Sequence, residues 1–466
     1  MKLGKQIGLA GVFSIATGAM ISSGIFILPG LAFAKAGSAA FISYFVAGIM
    51  ALLGIFSTIE LSTAMPKAGG DYYYINRSFG PLIGTISGLL GWLALVLKSS
   101  FAIFGISEVL FIFFNIPLQI SSASLCLIFL CVSLAGAKQA VIFQVVLVTG
   151  LLGLLAAFVV VGLPNIDSSQ FTSLSDTPVN NIVIASGFIF ISFGGLLKVA
   201  SISEEVRNPK RNIPLGMITS VIVVTLLYTL VVVVLVGTLE PDVLSGSLTP
   251  VADSARILLG APGYLAITIA ALLAFVTTAN AGLMSASRYP IALARDSLIP
   301  SSLAFVSKKK KTPVLALVLT ALLIYLSQLL PLEALVKAAS TVILTSYVLT
   351  NFAVIIMRES KLSNYRPSFR APFYPWLQIV CVVLFSFFII DIGAEAVEIS
   401  LAFVFACVLL YLFYGRRKNN SIYALLHLLK RITDKRLTGD LLENELRDIL
   451  ISRDEIEQDS FDELVK

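Results

Sequence analysis

Two apolar stretches of the chain are interrupted in the middle by small residues, Ile21-Ser22-Ser23-Gly24-Ile25 and Ser192-Phe193-Gly194-Gly195-Leu196, and each stands first in its own run of five such stretches. A helix broken at bilayer depth is tolerated only where its freed N–H and C=O groups line a cavity or meet a ligand. At each break the upstream half-helix ends in unpaired carbonyls and the downstream half begins with unpaired amides of partial positive charge. Such a pair of ends suits a zwitterion. The amides after Ser22, Ser23 and Gly24, leading into Ile25, can hold a carboxylate, while carbonyls near Ala19, Ile21 and Ile191 can accept from an ammonium. Glycines at Gly24, Gly194 and Gly195 leave the space the ligand must enter. Small residues inside spans also serve close helix packing. Their occurrence at corresponding positions, with Pro29-Gly30 closing the first break, favours a binding site.

Lys98 and Lys198 are ionisable residues inside apolar stretches, which makes them functional candidates by default. Either one loses and regains a proton during a working cycle, or each snorkels or forms a permanent ion pair with a partner such as Glu108 or Glu204. Glu60 has two readings of its own, a member of a proton path or a structural hydrogen-bonding group near the interface. His427, the only histidine, lies near the C-terminus, so histidine-based catalysis or metal binding within the spans is excluded. Cys126, Cys131, Cys381 and Cys407 fall inside apolar stretches without metal-type spacing and are expected to be core residues.

The elements that position these groups follow from composition. With 57% hydrophobic residues, 13% charged residues and a mean hydropathy of +0.94, no soluble fold could cover the apolar surface. Apolar runs of bilayer-spanning length lie at roughly 7–34, 39–64, 81–113, 119–135, 139–163, 181–203, 213–238, 263–286, 313–330, 333–357, 373–391 and 396–414. An all-α membrane protein of about twelve spans is expected, with both termini on one side. Lys2, Lys5, Lys67, Arg77, Lys138, Arg207, Lys210, Arg211, Arg288, Arg295, Lys308 to Lys311, Arg358, Lys361, Arg366 and Arg370 fall on that side, against Lys35, Arg256 and Lys337 on the other. The positive-inside rule makes both termini cytoplasmic and the chain a multi-pass protein of the cell membrane. The net charge of +6 follows from this topology and does not indicate nucleic acid; the Lys308 to Lys311 run fits anionic headgroups.

Residues 1–415 form one membrane domain, with repeats at about 7–163 and 181–357 and two extra spans over 373–414. Residues 416–466 form a polar tail, where Leu425 to Ile432 and Leu441 to Leu450 recur at near-helical spacing with a turn at Thr438-Gly439. Two short amphipathic helices are expected there, packed on the cytoplasmic face or on lipid, or binding a partner. Residues 66–80, with a Gly pair and three tyrosines, are expected to form an amphipathic segment along the membrane, and 239–262 an external loop. Both follow the second span of their halves, as an inverted repeat requires.

The segments GAMISSGIFILPG (18–30), PKAGGDYYYINRSFGP (66–81), SEEVRNPKRNIP (203–214) and SRYPIALARDSLIP (287–300) resemble the signature segments of the amino acid–polyamine–organocation permeases, in the same order and spacing. The resemblance extends from about residue 7 to residue 414. It implies the leucine-transporter-type fold, a five-plus-five inverted repeat with spans 1 and 6 unwound around the substrate, and secondary transport of amino acids or related amines. It also implies that Ser22-Ser23-Gly24 binds the carboxylate and that Phe193, ahead of Gly194-Gly195, gates the pocket from outside. Leu197 stands where relatives with polar substrates carry an acid, which points to neutral substrates. Thr277, Thr278 and Asn280 supply ligands beside the position where sodium-coupled relatives bind their ion, and Lys198 falls within reach of it. Here one of the lysines is expected to replace sodium, so the coupling ion is H+ rather than Na+, with no other cofactor. Glu204, Glu205, Arg207, Arg211, Arg288, Arg295 and Asp296, at cytoplasmic span ends, are expected to hold the inward gate by ion pairs.

A permease working by alternating access, as symporter or exchanger, is the leading reading. A membrane amino-acid sensor signalling through residues 416–466 is the alternative. An intramembrane enzyme lacks the usual parts, and a channel suits broken helices less well than an occluded site.

Overall fold

The computed structural model describes residues 7–67, 69–135, 140–174, 177–305, 313–362, 364–415 and 423–426. Among them the regular structure is helical, save a single bridge between Ile7 and Val206.

The first apolar stretch is built in three pieces, α1 (Leu9–Met20), α2 (Ser23–Phe26) and α3 (Leu28–Ala36). Ile21 and Ser22 form the unwound turn between the first two. Pro29, with no N–H and a ring that collides with the preceding turn, explains why α2 stops at Phe26 and helix resumes only at Leu28. A continuous downstream half-helix from Ser23 is therefore replaced by a four-residue turn.

Helices α4 (Ala40–Ala64), α5 (Asp71–Phe79), α6 (Pro81–Phe114), α7 (Leu118–Ala135) and α8 (Ala140–Gly162) complete the first half. Pro81 opens α6 at a position where the missing N–H costs nothing, and Asn115, at φ 54°, ends it. In the second half, α9 (Val179–Ile189) runs into a 3-10 turn (Phe190–Phe193), then Gly194-Gly195, then α10 (Leu196–Ser201). There follow α11 (Pro209–Thr238), α12 (Pro241–Gly246), α13 (Pro250–Ala286), α14 (Arg288–Arg295), α15 (Val314–Ser327), α16 (Leu332–Glu359), α17 (Trp376–Asp391) and α18 (Ala394–Phe413).

Among the described residues, seven helical stretches are long and apolar enough to cross a membrane, and there are five shorter apolar helices. The centre is formed by α1, α4, α6, α9, α10, α11, α13 and α16, packed in the pairs α4 with α11, α6 with α13 and α1 with α11. Val146, Val160, Val383 and Phe405 are exposed on the outer helices, as a surface solvated by lipid tails requires.

Two expected loops are helical. Residues 239–262 hold α12 and the first turns of α13, which bends at Gly260 (φ 68°) before Pro262. Ser247 caps the α13 entrance by donating to Asp253 and accepting from the Thr249 amide. Residues 66–80 contain α5, but Asp71, Tyr72, Tyr74, Ile75, Asn76 and Ser78 are buried against protein rather than lying on lipid; α6 and α16 cover them. The expected tail helices lie outside the described residues apart from Tyr423–Leu426, as do Lys2, Lys5, Lys138 and Lys308 to Lys311.

Candidate functional site

The two breaks lie against each other. A Cβ on Gly24 would stand 2.4 Å from Ser192 Oγ, and one on Gly195 would stand 2.5 Å from the Ala19 carbonyl oxygen. Close approach of two backbones requires glycine at both positions. Gly194, beside them, faces Ile343 of α16. The breaks are thus a single structure made by the first and sixth apolar stretches.

The carbonyls of this structure are held by side chains from neighbouring helices. Tyr44 of α4 donates to the Gly24 carbonyl at 2.7 Å, and Tyr228 of α11 donates to the Met20 carbonyl at 2.8 Å. The Tyr228 ring meets both Tyr44 and Phe193 edge-on, with centroids 5.8 and 5.7 Å apart. Phe193 is fully buried in this aromatic layer at the end of the 3-10 turn. Ser340 of α16 donates to the Phe188 carbonyl and accepts from the Ile191 amide. Tyr44, Tyr228 and Ser340 were not singled out from the sequence. A tyrosine in mid-span was the available signal, since its buried hydroxyl needs a partner.

Ile191 shows the largest departure from expectation. Its carbonyl accepts from the Gly194 amide at 3.0 Å and from Lys98 Nζ at 3.2 Å. Both lone pairs are used, so this oxygen cannot take a further ammonium without displacing Lys98. Ser22 turns its hydroxyl back to the Met20 carbonyl, and the Ile25 amide closes a turn on the Ser22 carbonyl. Ala19, Ile21 and Ile25 are buried at the break. Ser23 opens α2, Leu197 is the second residue of α10, and Glu205 ends a 3-10 turn, but their side chains lie outside what is described.

Lys98 on α6 and Lys198 on α10 are 2% and 3% exposed and within electrostatic range of each other. Neither pairs with Glu108 or Glu204 among the described residues: the ion pairs found there join other groups. Two buried lysine side chains thus lie at the break without a paired carboxylate among the described residues.

On α13, Thr278 reaches the Gly18 carbonyl of α1 at 3.5 Å, while the side-chain oxygens of Asn280 and Thr17 are buried without a partner. Thr277 does not join them, because its hydroxyl returns to the Ala274 carbonyl of its own helix. Glu60 is also corrected. It is fully buried, takes Arg358 in a bidentate pair (Nε to Oε1 at 2.7 Å), and accepts from Tyr365 at 3.0 Å and the Ala371 amide at 2.8 Å. Four donors fix this carboxylate as a clasp between α4 and the segment after α16, away from the lysines.

Of the expected gate charges, Asp296 does close a contact: it accepts from Tyr72, from Asn76 at 3.2 Å and from Arg77 at 3.0 Å, joining α14 to α5. Glu204, Arg207 and Arg288 have polar partners of their own. Arg211 and Arg295 are exposed and belong to no ion pair among the described residues. At the opposite end, Lys35 of α3 pairs with Glu333 of α16 at 2.9 Å and stands over the Phe188 ring.

Comparison with known proteins agrees with this architecture. A family model described as amino acid permease matches residues 7–424. The branched-chain amino acid permease of Bacillus subtilis is 25% identical over 451 residues, covering 89% of this chain and 94% of its own. The serine/threonine exchanger of the same organism is 25% identical over 439 residues, covering 90% and 98%, and its methylthioribose transporter 26% over 428 residues, covering 86% and 91%. With a match over nearly the whole membrane region and two unwound stretches packed together at its centre, the chain belongs to the amino acid permease family.

Proposed function

We propose that this protein is a secondary carrier that moves amino acids with uncharged side chains across the cell membrane by alternating access. The observation that carries this reading is the apposition of the two breaks, Gly24 against Ser192 and Gly195 against Ala19. Backbone dipoles brought to one place from two half-spans offer a carboxylate and an ammonium their partners. The named substrates of two of the three relatives, branched-chain amino acids and serine or threonine, are of this kind, while the third is named for methylthioribose. In this reading the helices form twelve spans in a five-plus-five inverted repeat, with the arginine-rich end cytoplasmic. One of Lys98 and Lys198 takes the place of a coupling sodium ion, giving proton symport or exchange.

Thermal unfolding of the purified protein against the twenty amino acids tests it. Stabilisation by one or more zwitterions is expected, and it should be absent with the matching amide or decarboxylated amine, which lack the carboxylate. Equal stabilisation by amine and amino acid contradicts the assignment.

A further inference from the structure

Asp71 is a buried carboxylate that the substrate site does not use. It opens α5 and is 0% exposed. Its Oδ1 accepts from the Tyr289 hydroxyl at 2.7 Å and from the Tyr72 amide at 3.1 Å, whereas Oδ2 has no partner. The groups facing it are hydroxyls: Tyr289 from α14, Tyr74 from α5, and Tyr347 and Ser346 from α16. The hydroxyls of Tyr74 and Tyr347 are themselves without partners. Among the described residues no cation perturbs Asp71, while Asp296 and Arg77 act on the neighbouring Tyr72. Burial outweighs these hydrogen bonds and pushes the Asp71 carboxyl up to about 6.

The position is a junction of elements. A Cβ on Gly70 would stand 3.1 Å from the Tyr289 hydroxyl and 3.5 Å from the Ser201 amide of α10, and one on Gly91 of α6 would stand 2.6 Å from the Tyr289 ring. No titratable side chain of α6 or α10 acts on Asp71. It therefore lies where α5, α6, α10 and α14 meet, beside the half-helix that follows the second break.

We propose that Asp71 is a proton-binding site that holds the arginine-rich end of the molecule closed when occupied and loosens it when empty. A neutral carboxyl is tolerated in a dry pocket, but a carboxylate with one unpaired oxygen requires water. Ionisation therefore favours an arrangement in which α5 parts from α14 and α10. A metal ion would need several converging oxygens, and Oδ1 is already committed to two donors. The ordinary tyrosine range, near about 10, already lies above that of the carboxyl, and burial pushes Tyr74 higher still, so the hydroxyls stay protonated throughout. The sign follows from linkage. The closed form keeps the proton up to about pH 6, the hydrated form only to the ordinary range near about 4, so closure weakens as pH rises between these values and carries the whole penalty above them. Acid on the side that Asp71 faces shuts this end.

The inference builds on the carrier reading only in calling the motion a gate, and its test needs no transport. Backbone hydrogen exchange of the full-length protein in lipid nanodiscs, corrected for intrinsic rates, is followed from about pH 4 to about pH 8. Segments 66–80 and 196–206 should exchange several-fold faster as pH rises through the window, at constant sodium. Asp71→Asn, which copies the protonated form, should stay protected throughout. Tyr289→Phe, which removes a donor favouring the carboxylate, should move the midpoint to higher pH. A pH-independent wild type, an Asp71→Asn variant that responds like wild type, or a response that follows sodium at fixed pH overturns the proposal. Should Asp71→Asn not fold, the direction of the Tyr289→Phe shift decides, and a downward or absent shift overturns it.

Discussion

Lys98 donates to the carbonyl of Ile191, 93 residues away in sequence, at 3.2 Å. This places an amine of the protein on a carbonyl proposed for the substrate ammonium, with Lys198 close by and no carboxylate paired to either among the described residues. A substrate amine must displace Lys98 or bind another oxygen of the break. Displacement would link substrate arrival to the state of the lysine directly.

Lys98→Met and Lys198→Met are accordingly expected to cut uptake driven by an inward proton gradient by roughly tenfold, equivalent to about 1.4 kcal/mol. Exchange of amino acid against amino acid should persist. Uptake into proteoliposomes with and without a pH gradient checks this, and unchanged gradient-driven uptake in both variants removes the lysines from coupling.

Gly195→Val should abolish uptake while leaving the protein in the membrane. The first added carbon already stands 2.4 Å from the Ala19 carbonyl carbon, so the breaks must separate. Surface expression together with radiolabelled uptake measures both parts; activity within twofold of wild type would show that the apposition is not needed.

Glu60→Gln acts on stability instead. It leaves Arg358, Tyr365 and the Ala371 amide around a neutral amide. Removing one partner of a buried ion pair costs about 3–5 kcal/mol, so a large fall in the melting temperature is expected with the pH dependence of uptake unchanged. A changed pH profile with normal stability would return Glu60 to the proton path.

Asp296→Asn removes the charge that gathers Tyr72, Asn76 and Arg77. The end of the molecule that it closes should become more accessible, seen as faster labelling of a cysteine placed at Ser203, a residue 2% exposed. Arg211→Gln and Arg295→Gln, at exposed unpaired positions, should leave the labelling rate unaltered.

Much of the architecture was readable because apolar length and interruption are local properties. Ser22 to Gly24 and Gly194-Gly195 marked the breaks, and the helices fall close to the expected stretches. Gly260 and Pro262 suggested a loop, yet the helix resumes after a bend because Pro250 starts it cleanly and Asp253 with Ser247 secures its first turn. What could not be read was the rotation of each helix about its axis. That rotation turns Lys98 onto Ile191, brings Tyr44 and Tyr228 to the carbonyls of the first stretch, and gives Glu60 to Arg358. Charge alone likewise could not separate Asp296, which is engaged, from Arg295 beside it, which is exposed.

The central claim is that the paired breaks carry an amino acid from one side of the membrane to the other. Accumulation of radiolabelled amino acids by proteoliposomes preloaded with the same compounds unlabelled measures this. Label should collect inside vesicles holding the wild-type protein and stay at the level of empty liposomes with Gly195→Val. Binding to the wild-type protein without any label reaching the lumen, or equal accumulation by the variant, would contradict the account.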